Sequence, residues 1–123
     1  MPVYSEHDAA ELRSCLFKLR RQCERELAER KKAALAAAKR AAGVVRRHGG
    51  CRVWLFGSLA GGGRFDEHSD IDLAVAGLPR EADFWRLYAD VLAAAEPFSV
   101  DLVLMEAAGP ELRENIRRHG VEI

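Results

Sequence analysis

The chain has 123 residues, 49% of them hydrophobic and 31% charged, with three cysteines and four scattered histidines. That composition excludes a disordered or fibrous chain, suits one domain with a modest core, and offers neither a disulfide framework nor a zinc-ligand spacing. Zero net charge conceals two unlike halves: residues 1–49 hold 12 Lys/Arg against 6 Asp/Glu, and residues 50–123 hold 7 against 13.

From Asp8 to His48 there is no proline, glycine enters only at Gly43, and Leu12, Leu16, Leu19, Cys23 and Leu27 recur at three- and four-residue steps, which predicts a helix. Ser5 or Asp8 is placed to cap its start and Gly49-Gly50 to end it. Forty residues would extend roughly 60 Å, about twice the diameter of so small a domain. The apolar seam weakens at Arg30-Lys31-Lys32 and resumes with Ala34, Ala37, Ala38, Ala41 and Val45. The expectation is a basic helical hairpin or protruding arm over residues 1–49, pairing with a second copy or with a helical partner. No aromatic residue interleaves the basic ones between Phe17 and Trp54, so base stacking on nucleic acid is not favoured.

Val53 to Phe56 reads as a buried strand, followed by Gly57-Ser58, a turn in which the backbone can approach a phosphate and Ser58 can cap a short helix. A glycine-rich stretch, Gly61-Gly62-Gly63-Arg64, leads to Ser69-Asp70-Ile71-Asp72-Leu73-Ala74-Val75. In a strand near 70–76, Asp70 and Asp72 share one face, an arrangement of like charges that is costly unless a cation sits between them. Magnesium prefers such oxygens together with substrate phosphates. His68, two residues before Asp70, reads as an exposed loop histidine, and the three cysteines, Cys15, Cys23 and Cys51, as ordinary thiols.

Glu81 to Ala95 carries an amphipathic pattern with Phe84, Leu87, Tyr88, Val91 and Leu92 on one face, Pro97 ending it, and Trp85 and Tyr88 as core or interface residues. A third strand, near 99–105, holds Asp101 on the face opposite Val100 and Leu102. Pro110 to His119 makes a last helix with Leu112 and Ile116 facing inward, and Val121 and Ile123 add a small terminal strand. The expected architecture is α/β: a mixed sheet backed by helices on one side in residues 50–123, with a long N-terminal helical extension.

Gly57, Ser58, Asp70, Asp72 and Asp101 together resemble the nucleotidyltransferase superfamily typified by DNA polymerase beta, over about residues 50 to 120. The size and the Ser-Asp-Ile-Asp-Leu-Ala-Val run look most like its minimal nucleotidyltransferase (MNT) group, whose members often act with a helical HEPN partner as antitoxins. The resemblance implies that Gly57 and Ser58 hold the triphosphate of ATP or another NTP. It implies that Asp70 and Asp72 bind magnesium, with two ions accommodated, and that Asp101 shares a metal and helps deprotonate the acceptor hydroxyl. One departure stands out. Members commonly carry basic residues directly after Gly-Ser, where this chain has Leu59, Ala60 and three glycines, so Arg64 is the available substitute for phosphate contact.

The implied activity is transfer of AMP onto a hydroxyl, with a tyrosine or serine of a HEPN-like partner as acceptor. Two rivals stay open: a non-catalytic binding module that uses the same fold to neutralise a partner, and a small-molecule adenylyltransferase of the antibiotic-modifying kind. No cleavable signal and no apolar run near twenty residues are read, so the expected setting is cytoplasmic with no membrane role.

Overall fold

The computed structural model describes residues 6–50 and 52–123, so the capping role of Ser5 and the state of Cys51 lie outside the described residues. Helix α1 runs unbroken from Glu6 to Arg47. The hairpin alternative is thereby corrected: alanines and long straight-chain residues continue the helix through Arg30-Lys31-Lys32, because a charge cluster interrupts an apolar seam without breaking backbone hydrogen bonds.

Strands β1 (Arg52–Phe56), β2 (Ile71–Ala76), β3 (Val100–Leu104) and β4 (Val121–Glu122) form one sheet in the order β3-β2-β1-β4. β1 pairs antiparallel with β2 and β4, and β2 pairs parallel with β3 through the crossover helix α2 (Phe84–Ala95). Each strand alternates, so Val53, Leu55, Ile71, Leu73, Val75, Val100 and Leu102 enter one core with Leu87 and Val91 of α2. Ala34, Ala37, Ala38, Ala41 and Ala42 of α1 are buried in the same core. Small side chains there let α1 approach α2 closely, and Arg40 secures the contact by donating from Nε to the Ala94 carbonyl at 2.9 Å, near the end of α2 where carbonyls lack helical partners.

Helix α3 (Pro110–His119) packs on the opposite face, with Ile116 buried against Trp54, Ala74 and Met105. Helices therefore cover both faces, not one. Leu112 is half-exposed and only Ile116 of the expected pair points fully inward. α2 begins at Phe84, three residues later than the apolar pattern suggested, because Asp83 caps it by accepting from the Arg86 amide at 3.2 Å. Trp85 is 77% exposed and is not a core residue.

The orientation of α1 bears on function. A five-residue strand rises about 17 Å, the length of about 11 helical residues, so α1, folding back along β1 after its end at Arg47, outruns the sheet before about residue 36. Ala34 is the first fully buried residue of α1, and Leu12, Leu16, Phe17 and Leu19 are all more than half exposed. The arm overhangs the sheet edge at which β1 ends and β2 and β3 begin.

Candidate active site

At that edge, cross-strand register gathers the carboxylates. Asp72 stands opposite Phe56 on β1 and opposite Asp101 on β3, with neighbouring strands about 4.8 Å apart. Asp70 lies one residue before β2, so the strand begins a residue later than expected, yet it still faces the pair electrostatically. Burial, then the charges of Asp101 and Asp70, hold the Asp72 carboxyl above its ordinary range.

Gly57 makes room for this carboxylate. Its φ is +74°, in the left-handed region, and a Cβ there would lie 2.2 Å from Asp72 Oδ2. The segment after it is a set of turns closed by the Gly61 amide on the Gly57 carbonyl at 3.0 Å, with no helix, which corrects the expectation that Ser58 caps one. The glycines that follow favour turns over a helical run. Ser58 is half-buried beside Gly63, and Leu59, directly after the Gly57-Ser58 pair, is 3% exposed and anchors the turn in the core.

Arg64 is exposed, 3.7 Å from Asp66 Oδ2, and lines a cavity of about 560 Å³ together with Arg30 of α1 and His68. Asp66 shapes the approach to Asp70: its Oδ1 accepts from the His68 amide at 2.9 Å and from Ser69 Oγ at 3.2 Å. The His68 amide is the main cause that holds the Asp66 carboxyl below its ordinary range. The Ile71 amide donates to the Ser99 carbonyl at 2.9 Å, joining the entrances of β2 and β3.

For two residues of this region the sequence reading missed their place at the site. Tyr88 donates its hydroxyl to the Val100 carbonyl at 2.7 Å, and burial followed by the charges of Asp101 and Asp70 raises its pKa. Arg30 lies over Phe98 at 5.1 Å and Phe65 at 6.0 Å, with Nε buried and without a hydrogen-bond partner. Both sit in helical patterns that look purely structural, and only the tertiary fold brings them to the edge.

Among the described residues, no group of three or more His, Cys, Asp or Glu side chains is gathered tightly enough to grip a metal by itself. The donor chemistry nevertheless fits a hard divalent cation: Asp70, Asp72 and Asp101 supply only carboxylate oxygens, and the burial and neighbouring negative charge that raise the Asp72 pKa are a cost a cation would relieve.

Residues 51–123 match the family described as Polymerase beta, Nucleotidyltransferase. The chain belongs to this nucleotidyltransferase family. Among solved structures, a candidate minimal nucleotidyltransferase is 30% identical with a TM-score of 0.56, the match covering 80% of this chain and 94% of that one. A toxin-antitoxin complex with AMP-PNP is 29% identical with a TM-score of 0.56, covering 68% of this chain and 69% of that one. The fold also matches a tri-AMPylated Shewanella oneidensis HEPN toxin in complex with MNT antitoxin, at 23% identity and a TM-score of 0.52 over 72% of this chain and 70% of that one. No curated protein matches the chain in sequence. The nucleotidyltransferase assignment supports nucleotidyl transfer as the general chemistry, and no helix among the described residues is long and apolar enough to cross a membrane.

Proposed function

We propose that the chain transfers AMP from ATP onto a hydroxyl of a helical, HEPN-like protein partner, in the manner of an MNT antitoxin. The observation that carries this reading is the Asp72–Asp101 register beside Gly57, which puts carboxylates against a turn that only glycine can make. The toxin-antitoxin complex holding AMP-PNP supports the nucleotide and an antitoxin-like pairing.

In this mechanism Gly57 lets backbone come close to the triphosphate, Ser58 Oγ donates to a phosphate oxygen, and Arg64 adds positive charge from the loop. Asp70, Asp72 and Asp101 would hold magnesium, which would supply charge stabilisation for in-line displacement. Asp101 also receives the acceptor's hydroxyl proton. The acceptor oxygen forms a bond to the α-phosphorus as the bond from that phosphorus to the pyrophosphate oxygen breaks. The overhanging arm, with Leu12, Leu16 and Leu19 exposed beyond the edge, is the docking face for the partner.

A second reading rests on Leu59. Directly after Gly57-Ser58, a buried leucine and a run of glycines leave the triphosphate short of charge, which favours a binding-only module acting through the arm. Intact-mass spectrometry separates the two: a HEPN-type partner incubated with the chain, magnesium and ATP gains the mass of AMP under the first reading. It stays unchanged, while still co-purifying, under the second.

A further inference from the structure

Strand β3 stands at one end of the sheet order, so among the described residues no strand lies along its outer side. Asp101 belongs to this edge strand, whose peptides find strand partners on one side only. Which backbone groups look outward follows from the pairing with β2. The Ile71 amide donates to the Ser99 carbonyl at 2.9 Å and the Met105 amide to the Val75 carbonyl at 2.8 Å, so Ser99, Asp101, Val103 and Met105 turn their backbone groups toward β2. By alternation, Val100 and Leu102 turn theirs to the open side.

Tyr88 of α2 meets these outward groups. Its ring packs edge-on against Phe84, with centroids 5.9 Å apart, and its hydroxyl donates to the Val100 carbonyl at 2.7 Å. The Leu102 amide is hydrogen-bonded to the same oxygen: burial and then the charges of Asp101 and Asp70 raise the Tyr88 pKa, and this amide acts against them. A hydroxyl has one O–H to give and lone pairs to receive, so both bonds form at once. The phenol thus takes the place that the peptide of a neighbouring strand would fill.

Asp101 lies between the two anchors. The peptide before its Cα carries the carbonyl that Tyr88 holds, the peptide after it carries the Leu102 amide, and the remaining N–H and C=O of these two peptides face β2. Both peptide planes are therefore held from two sides, and the direction of the bond from Cα to the Asp101 side chain is held with them. We propose that Tyr88 is a positioning residue for Asp101, its hydroxyl standing in for an absent strand and keeping the Asp101 carboxylate beside Asp72. This rests on the transferase reading above and goes beyond it by assigning the alignment of the proton-accepting carboxylate to a residue of α2 outside the Gly-Ser and Asp-x-Asp motifs. Proton transfer tolerates little displacement of its base, whereas Gly57, Ser58, Asp70 and Asp72 serve the nucleotide without Tyr88, so the clamp acts on the chemical step more than on nucleotide binding.

Tyr88→Phe removes the hydroxyl and keeps the packed ring. Amide hydrogen exchange of the full chain, followed by NMR, reads the clamp without any turnover. The Leu102 amide exchanges at least about tenfold faster in the variant, measured against the Leu55 amide of β1, which registers any change in global stability. AMP transfer onto a HEPN-type partner reads the consequence: kcat falls at least about tenfold, while KM for magnesium-ATP stays within about threefold. Leu102 exchange that changes no more than that of Leu55 overturns the clamp, and an unchanged kcat, or a loss that falls on KM, overturns the positioning role. Failure of the native chain to transfer AMP overturns the transferase reading and the positioning role with it, and Leu102 exchange then still decides whether the clamp exists.

Discussion

Gly57 and Asp72 show how closely stability and chemistry are set against each other at single residues. In Gly57→Ala, a left-handed backbone acquires a Cβ and that Cβ meets Asp72 Oδ2, so the variant loses at least the roughly 1–2 kcal/mol that a left-handed L-residue costs. Urea unfolding reads the loss, and magnesium-ATP binding weakens with it because Asp72 is displaced. Asp72→Asn acts in the opposite sense. The folded-state pKa of Asp72 is raised above its ordinary value of 3.8, chiefly by burial, so the ionised form opposes folding. In metal-free buffer the native chain therefore has its full stability below that value and loses some as pH rises through the raised folded pKa. The asparagine variant escapes this loss. Its melting temperature exceeds that of the native chain at neutral pH, and the gap closes on acidification below pH 3.8. A gap that widens on acidification would contradict the assigned cause.

Among the elements, the strands were the most legible, since alternation around Asp72 and Asp101 fixes both the buried face and the shared face of the acids. The turn after Gly57 was not, because a Gly-Ser pair serves turn and helix start equally and only the closure of Gly61 on Gly57 decides between them. Tyr88 was read as a core or interface residue for a related reason: helical periodicity registers its apolar ring, whereas the Val100 carbonyl that receives its hydroxyl belongs to the next element, β3, which the periodicity of α2 does not register. For α1, the charge cluster at Arg30-Lys31-Lys32 divides two faces with different work rather than two helices. Leu16→Glu/Leu19→Glu, on the outer half, changes folding stability by no more than about 0.5 kcal/mol, as for surface substitutions generally. Each leucine contributes about 1.5–3 kcal/mol when buried in an interface, so partner affinity, followed by calorimetry, falls by at least about tenfold. Unaltered affinity would remove the arm from the interface.

On the scale of the whole molecule, the charge division becomes spatial. A helix, Glu6–Arg47, with a +6 balance overhangs an edge that carries three acids within a half balanced at −6. That the acids are arranged for a cation and a nucleotide is the proposal on which adenylyl transfer and partner docking both depend. Thermal unfolding of the native chain and of Asp70→Asn/Asp72→Asn, each with and without magnesium and ATP, tests it most directly. At about a hundred times its dissociation constant a ligand adds about 2.7 kcal/mol, several degrees in a domain of this size. The account predicts that rise in the native chain only when magnesium and ATP are present together, and none in the variant. A rise of equal size in the variant, or no rise in the native chain, would contradict it.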